Sequence, residues 1–492
     1  MVEEELGPSI GDRITKNGKI DERGSVRYVG PVEGQKGTWV GIEWDNTSRG
    51  RHNGTIEGKT YFQTEHPTGG SFIKANVIDG GRDLLDQIRE RYEINDNEEN
   101  EKMGGVTIEK IGMNKVHDRQ KNIFYLGVIC LAGMRVSSPP PKLTPHFINC
   151  TELNLHGNLL HRWKDVFEII NFFPKLKELA LGNNIMENLA DVSSLSNFPI
   201  VTAPVFHLVL NYCKVTETTI SAVLSRFPNV TDLYASGNRL TTFNPGQNGQ
   251  KLRLVDLELN PVKSLEAIDP ENFMENLENL SLQSCNVVTI LGLNGRFRRL
   301  TTMNLKGNPI NEWASINSLA DLERLQTLFV TSTHFEGLNG LDVREMVIAK
   351  LSKLTMLNRG DVSAIERRSA ELRFISKCNG LEETLKAPHE NDIKRLIQIH
   401  GEPVADNNKA KKINVVKVSI SYQGKSLLRP LPTSSTVSKV IEIAARLFAL
   451  DPKAVTLWIE PKEGAASKLS IPARQLSFYS VETGDTIRVE MQ

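Results

Sequence analysis

The chain has 492 residues, a length that suits about three domains. Its 59 acidic and 59 basic side chains leave a formal charge of zero, which argues against a dedicated nucleic-acid-binding protein. The five cysteines are far apart and form no CxxC pair, so we expect a reducing, cytoplasmic environment with neither a disulfide framework nor a zinc site. No apolar run approaches the roughly 20 residues of a membrane span, so we expect no membrane association.

The first informative segment, residues 37–73, is short and rich in glycine and aromatic residues. Glycine is used where φ must be positive or where another backbone must come close. Alternation around Val40, Ile42 and Trp44, with turn residues on both sides, predicts short strands in a small sheet. We therefore predict an all-β domain over residues 1–80.

These residues resemble a CAP-Gly domain, a fold that holds the acidic, aromatic-ended C-terminal tails of α-tubulin and similar proteins. The signature loop of that family is GKNDG, and this chain has Gly50-Arg51-His52-Asn53-Gly54 in its place. The glycine spacing is kept and the three inner residues differ. The resemblance implies that this loop is part of a tail-binding site.

A tail that ends in a free carboxylate needs N–H donors and a cation. Arg51 offers a planar guanidinium that can grip a carboxylate with two parallel hydrogen bonds. His52 is either a neutral donor at pH 7 or, if its pKa rises, a second cation. Trp39 and Phe72 are candidate walls of a slot for an aromatic side chain, or else they are ordinary core of a small domain. Lys74 completes the predicted site.

The charges around this loop favour an acidic ligand. Between residues 49 and 74 four cations, which include Arg49 and Lys59, face only Glu57 and Glu65. Such a mildly basic lip suits a glutamate-rich tail.

Residues 81–122 are predicted to be a linker, because the stretch 93–104 is acidic, polar and poor in large apolar groups. The template L-x-x-L-x-L-x-x-N/C-x-L recurs from about residue 126 to 357, and with its C-terminal cap the solenoid is placed at residues 123–378. We place the anchor of each repeat at positions 129, 153, 179, 208, 233, 257, 280, 303 and 328. This spacing is typical of leucine-rich repeats and predicts an α/β solenoid.

Each L-x-L is predicted to be a short strand with inward leucines, and stacked strands form one parallel sheet on the concave side. The residue between the leucines then lies on the concave face, where repeats of this kind bind proteins. We predict a protein-binding face that contains Tyr234, Glu258, Asn304 and Phe329, the two aromatics being interaction candidates. Alternatively, the solenoid is only a spacer. The repeat at residues 257–262 lacks two residues of the usual turn, so we expect a local kink there.

Residues 354–378 resemble a leucine-rich-repeat C-terminal cap, with Ile365, Leu372 and Ile375 as the apolar face of its helix. Residues 379–412 are mostly polar and are predicted to be a second linker. The order ββαβ…β over residues 413–492 resembles a ubiquitin-like β-grasp domain. An α+β domain of this kind implies docking to another protein.

No catalytic motif stands out, since the chain has no HExxH, P-loop, GxSxG or Rossmann glycine run. We therefore expect a protein that is not an enzyme and needs no cofactor or metal.

The three parts in this order resemble the tubulin-folding cofactor E family. The resemblance implies a chaperone in the cytoplasm, associated with the cytoskeleton, that binds α-tubulin. It also implies work with β-tubulin and tubulin cofactors B, C and D in assembly and disassembly of the αβ-tubulin heterodimer. One alternative is a CAP-Gly adaptor that rides microtubules and carries cargo on its repeats. The other is a ubiquitin-pathway adaptor whose last domain docks on the proteasome.

Overall fold

The computed structural model describes residues 7–93, 122–293, 295–331, 335, 341–378, 381–402, 415–462 and 464–491. The chain divides into two compact units, residues 1–403 and 404–492. Within the described ranges, no helix combines the length and the apolar character that a membrane span needs.

The first unit begins with a five-stranded antiparallel sheet, as the glycine-rich segment predicts. The strands of this domain are β1 Arg13–Lys16, β2 Lys19–Pro31, β3 Thr38–Trp44, β4 Thr55–Ile56, β5 Lys59–Thr60, β6 Gly70–Lys74 and β7 Ile78–Asp79. The sheet has the order β6-β3-β2-β1-β7, and β4 pairs with β5. Val26, Val40 and Ile42 are fully buried in its core. The all-β character of this domain is confirmed.

The predicted linker at residues 81–122 begins later than the sequence suggests. Strand β8, Arg82–Asp83, follows β7 after two glycines, and helix α1, Leu84–Tyr92, follows at once. The Asp83 side chain accepts a hydrogen bond from the Asp86 N–H at 2.9 Å and so caps α1. Leu84 and Ile88 are fully buried in the core of the repeats. The rest of the predicted linker, residues 94–121, lies outside the described residues.

The repeats form one long sheet. Its strands and a short companion are β9 Val128–Cys130, β10 Val136–Ser138, β11 Glu152–Asn154, β12 Glu178–Ala180, β13 His207–Val209, β14 Asp232–Tyr234, β15 Leu254–Asp256, β16 Asn279–Ser281, β17 Thr302–Leu305, β18 Thr327–Val330, β19 Met356–Leu357 and β20 Gly360–Asp361. All but β10 join an eleven-stranded sheet in chain order, and β10 pairs with β8. The helices of the repeats are α2 Trp163–Ile170, α3 Glu217–Arg226, α4 Trp313–Leu319 and α5 Val343–Lys350. The predicted leucine-rich solenoid is confirmed.

A buried asparagine ladder joins successive repeats. The Asn184 amide donates to the carbonyl oxygens of Leu155 and Leu181 at 2.8 and 2.7 Å, and Asn158 and Asn308 make the same pair of bonds. Each amide thus satisfies backbone oxygens of two neighbouring repeats that would otherwise be buried without a partner.

The structure corrects the register of the sixth repeat. Val255 pairs with Leu233 and Leu280, so the anchor is residue 255 and not 257. Asn260 then lies five residues after the anchor and donates to the Ala235 and Leu257 carbonyl oxygens, as in the other repeats. The repeat has the usual turn, and the predicted irregularity at residues 257–262 is wrong.

The structure also corrects the cap and the second predicted linker. The cap contains helices α6 Ala364–Cys378, α7 Glu383–Lys386 and α8 Glu390–His400. Ile375 is buried as predicted, but Ile365 and Leu372 are exposed, since α6 buries Phe374 and Cys378 in their place. Helix α8 packs on this cluster through Ile393 and Leu396, so residues 390–400 belong to the cap and not to a linker. Residues 403–412 lie outside the described part of the chain.

A buried cation fixes α8 to the solenoid. The Lys350 side chain is completely buried, and its Nζ donates to Asn317 Oδ1 at 2.7 Å and to Asp392 Oδ2 at 2.8 Å. The same Nζ lies 5.8 and 5.6 Å from the ring centres of Trp313 and Phe374. Asp392 on α8 is therefore the carboxylate that balances a charge inside an aromatic nest.

We expect acid to destabilise the first unit through His389, which is buried beside this ion pair. Burial, helped by the charge of Lys350, lowers the pKa of His389 from 6.5 to about 4. The unfolded chain takes up this proton near pH 6.5, so the folded state loses stability as the pH falls from 6.5 toward 4. At 1.36 kcal/mol per pKa unit the loss reaches about 3 kcal/mol. Urea unfolding at several pH values should show this slope, and it should shrink in His389→Gln. An unchanged slope in the variant would contradict the assignment.

The second unit is a β-grasp domain with the predicted element order. Its elements are β21 Val415–Tyr422, β22 Lys425–Pro432, α9 Val437–Phe448, β23 Val455–Glu460, β24 Ser467–Lys468 and β25 Thr486–Met491. The sheet has the order β22-β21-β25-β23-β24, with β21 and β25 parallel. Val440 and Ala444 of α9 pack with Ile487 in the core. The ubiquitin-like fold is confirmed.

Candidate functional site

The GRHNG loop lies between β3 and the β4–β5 ribbon and is tied to the start of β6. The N–H of Arg51 donates to the Gly70 carbonyl at 2.7 Å, and the Gly70 N–H donates back to the His52 carbonyl at 2.7 Å. Both outer glycines are required by close approach: a Cβ at Gly50 would lie 2.1 Å from the Thr68 carbonyl oxygen, and one at Gly54 2.1 Å from that of Phe62. The backbone of the loop is therefore fixed by contacts that only glycine allows.

Arg51 is the free cation of the loop. Its side chain is exposed, and within the described residues its guanidinium makes no ion pair. Asn53 turns inward on its own backbone, with Oδ1 accepting from the Thr55 N–H at 3.2 Å. Arg51 is thus available to a carboxylate, whereas Asn53 shapes the turn.

The structure favours one of the two roles considered for His52. Its Nδ1 accepts a hydrogen bond from the Gly54 N–H at 3.0 Å, which leaves the proton on Nε2. Burial lowers the pKa of His52, so the ring is neutral at pH 7. His52 is a neutral donor and not a second cation.

The two predicted wall residues, Trp39 and Phe72, lie in different surroundings. Phe72 lies in a cluster of rings, with centroid distances of 5.8 Å to Tyr28, 5.5 Å to Tyr61, 5.3 Å to Phe62 and 5.5 Å to His52. Trp39 lies on the same face, two residues along β3 from Gly41, which pairs with Phe72.

Lys74 covers Trp39, with Nζ 3.8 Å from the ring centre, and the same Nζ donates to the Lys36 carbonyl at 2.6 Å. Phe72 therefore belongs to an aromatic cluster with Tyr28 and Tyr61, and Trp39 lies under Lys74 at one side of it. A slot between Trp39 and Phe72 stays a prediction. Sequence analysis missed Tyr28, because the register of β2 shifts between Val26 and Tyr28. Tyr28 pairs with Gly41, the partner of Phe72, and therefore leaves the core face of Val26 that simple alternation would give it.

The predicted basic lip is partly neutralised. Arg49 pairs with Glu22 at 2.9 Å, and Lys59 pairs with Glu33 at 3.2 Å. Glu65 turns away from the lip to the repeats. The positive charge left for a ligand is that of Arg51 and Lys74.

Three of the four residues predicted for the solenoid face lie on strands of the long sheet. Tyr234 pairs with Val209 and Asp256 across β13, β14 and β15, and Phe329 pairs with Asn304 across β17 and β18. Both aromatics are half-buried and not fully exposed. A cavity of about 370 Å³ lies along this face beside Tyr234.

Glu258 is the exception, because the corrected register gives its strand position to Asp256. Glu258 lies in the following turn, but its Oε1 accepts from Ser281 Oγ at 2.7 Å and from Asn304 Nδ2 at 3.3 Å. The carboxylate therefore reaches back onto the face as part of a hydrogen-bonded network.

Sequence analysis missed the acidic character of this face near Tyr234. His207 lies 2.8 Å from Asp232 and 3.6 Å from Glu178 on the strands to either side. Burial raises the pKa of Tyr234, and the charges of Asp232 and Asp256 raise it further. The two candidate sites thus differ in sign, with cations on the loop and carboxylates on the solenoid.

Comparisons with known proteins agree with this architecture. A model of the CAP-Gly domain family matches residues 10–78. Tubulin-specific chaperone E of Danio rerio is 30% identical over 531 residues, which cover 98% of this chain and 99% of that protein. The chain belongs to the tubulin-specific chaperone E family.

Other members give the same picture. Tubulin-specific chaperone E of Mus musculus is 29% identical, with 98% of each chain covered. Among solved structures, the C-terminal ubiquitin-like domain of mouse tubulin-specific chaperone E matches 18% of this chain and 95% of its own, at 26% identity and a TM-score of 0.16. Because the Danio rerio protein matches 98% of this chain, family membership extends over the CAP-Gly sheet, the solenoid and the β-grasp unit.

Proposed function

We infer that this chain is a tubulin-folding chaperone, the role named in its family. The observation that carries this inference is the match over nearly the whole length of a tubulin-specific chaperone E. A chaperone acts by binding its client, so we propose a non-enzymatic role.

We propose further that the CAP-Gly domain binds the C-terminal tail of α-tubulin. The support is local chemistry: an exposed Arg51, a neutral His52, and an aromatic cluster at Phe72. A tail with a free carboxylate and a terminal aromatic ring matches this set in charge and shape.

We propose that the concave face of the solenoid is a second contact with the client. Tyr234→Glu and Phe329→Glu should each weaken binding of tubulin at least tenfold, because each places a charge at a half-buried aromatic anchor. Surface plasmon resonance with purified tubulin measures the effect, and circular dichroism with thermal melting checks the fold. Leu143→Glu is the matched control, since Leu143 is 97% exposed outside the sheet. Normal binding by both aromatic variants would overturn the face assignment.

The finer partners are also proposals. We propose that the chain acts with β-tubulin and tubulin cofactors B, C and D in assembly and disassembly of the αβ-tubulin heterodimer. For the β-grasp unit we propose protein docking, with the proteasome as one candidate partner. Its edge strand β22 supports this, because Leu427 and Leu428 are 40% and 62% exposed there.

The direct test of the partner set is a pull-down from cytosol with the full chain. Recovery of α-tubulin together with cofactor D is the expected result. Recovery of proteasome subunits without tubulin would overturn the chaperone assignment in favour of a ubiquitin-pathway adaptor.

A further inference from the structure

The CAP-Gly domain and the solenoid are joined by an unusually short connection. Only Gly80 and Gly81 separate β7 of the first sheet from β8, which pairs with β10 of the repeats. Gly81 has φ +82°, and a Cβ there would lie 2.2 Å from the Arg135 carbonyl oxygen. The connection is therefore packed against the solenoid, where an ordinary interdomain linker would be solvated.

An ion pair between Asp79 and Arg135 stabilises this connection, which we call the root. Arg135 Nη1 of the solenoid lies 2.5 Å from Asp79 Oδ2 of β7, and Asp79 Oδ1 accepts from the Gly81 N–H at 2.8 Å. The same carboxylate thus binds the solenoid and the turn that leads to it.

A second set of contacts lies far along the chain, on the turns that follow the strands of consecutive repeats. Arg23 Nη1 donates to the Asn183 carbonyl at 3.1 Å. Glu65 pairs with Lys214 Nζ at 3.0 Å and with Arg239 Nη1 at 3.1 Å. Asn183, Lys214 and Arg239 belong to the turns after β12, β13 and β14, and all three have positive φ. We call these three turns the docking turns.

Glu65 is also part of the support of the GRHNG loop. Its N–H donates to Glu43 Oε1 at 2.7 Å, which fixes the start of the segment 65–70. That segment ends at Gly70, which exchanges hydrogen bonds with Arg51 and His52, and it includes Thr68, against which Gly50 packs. The short segment 65–70 therefore contacts the docking turns at one end and the GRHNG loop at the other.

We propose that the docking turns hold Glu65 through its ion pairs with Lys214 and Arg239, which we call the clasp. Together with the Asp79–Arg135 root, the clasp holds the CAP-Gly domain on the solenoid as one rigid receptor. Two separated anchor points prevent rotation about the glycine pair, since motion about either one breaks the other. The ion pairs and hydrogen bonds of the clasp and the root involve none of Arg51, His52, Trp39 and Phe72, so docking does not occupy the loop cation or the aromatic cluster. The proposal concerns the geometry of the chain alone and does not depend on which tail the loop binds.

Because a single exposed ion pair contributes little to stability, the test reverses the charges of both solenoid partners of Glu65. Lys214→Glu/Arg239→Glu places two acids against Glu65, and adding Glu65→Lys restores opposite charges in the reversed sense. Lys142→Glu/Lys175→Glu is the matched control, with the same change of net charge at two exposed lysines of the solenoid. All variants are made in the full chain.

The readout is the distance between spin labels at Gln35→Cys in the CAP-Gly domain and Asn229→Cys in the solenoid, in a Cys130→Ser background. The unmodified clasp should give one narrow distance distribution. The clasp reversal should broaden it at least twofold, the triple variant should narrow it again, and the control should leave it unchanged. A distribution that stays narrow after reversal, that fails to narrow in the triple variant, or that broadens equally in the control overturns the proposal.

Hydrogen exchange gives a second readout of the same variants. The amides of residues 65–70 should lose protection at least threefold in the clasp reversal and regain it in the triple variant. Unchanged hydrogen exchange in this segment would show that the docking turns do not support the GRHNG loop.

Discussion

Asp392→Ala is expected to lower the free energy of unfolding of the first unit by about 3–5 kcal/mol, because it leaves the buried Lys350 charge without its carboxylate. Lys350 has no exposed side-chain surface, and Asp392 Oδ2 lies 2.8 Å from its Nζ. Asn317 Oδ1 and the Pro388 carbonyl oxygen remain as hydrogen-bond acceptors, but neither balances the charge. Urea unfolding of wild-type and variant chains measures the loss.

Two further variants make the interpretation specific. Glu390→Ala on the same helix removes an exposed pair with Lys394 and should cost less than about 1 kcal/mol. Lys350→Met/Asp392→Leu removes both charges from a nest that already contains Trp313 and Phe374, and should recover most of the stability. Equal losses for Asp392→Ala and Glu390→Ala would show that Lys350 finds other compensation.

Removing the last residue of an α-tubulin tail peptide is expected to weaken its binding to the full chain at least tenfold, about 1.4 kcal/mol. The shortened peptide loses its terminal ring, which the aromatic cluster at Phe72 would hold. Its carboxylate also shifts by one residue from the position at which Arg51 would bind it. A charge-assisted contact of this kind contributes about 1.5–3 kcal/mol. Isothermal titration calorimetry with both peptides measures the difference.

Arg51→Ala should cost a similar amount and make the two peptides bind alike. Lys59→Ala is the matched control, because Lys59 belongs to the same lip of the domain but is already paired with Glu33. It should change affinity less than about threefold, in line with the small contribution of exposed charges. If wild-type protein binds full and shortened peptides equally, the loop is not a carboxylate site.

The repeats were predictable because the sequence carries two signals together, a regular spacing of leucines and an asparagine at a fixed position after them. Leucines at fixed spacing fill the core, and an asparagine five residues after each anchor must reach two carbonyl oxygens. The error at the sixth repeat arose because V-D-L-E-L permits two frames. The position of Asn260 decides between them, since only anchor 255 puts its amide within reach of both carbonyls.

The cap was harder to predict because small and polar residues contribute to its core. Helix α6 buries Ala370 and Cys378 beside Phe374, whereas the larger Ile365 and Leu372 face solvent. A search for large apolar residues at helical spacing therefore finds the wrong face. The polar residues around α8 predict a linker, although Ile393 and Leu396 have the spacing of a buried stripe.

The candidate tail site was predictable in its loop and not in its surroundings. Glycine spacing fixes the loop backbone, so Arg51 and His52 could be placed from sequence. The walls depend on which strands are neighbours, and Tyr28 and Tyr61 reach Phe72 only in the folded sheet. The pairing of Glu65 with Lys214 and Arg239 spans about 150 to 170 residues and leaves no periodic signal in the sequence.

The most direct test of the chaperone assignment is a comparison of the two states of tubulin. The full chain is mixed either with αβ-tubulin dimer and analysed by size-exclusion chromatography, or with stabilised microtubules and sedimented. We expect a complex with soluble tubulin and little chain in the microtubule pellet. Quantitative recovery with the polymer and no complex with the dimer would contradict it and favour a microtubule adaptor.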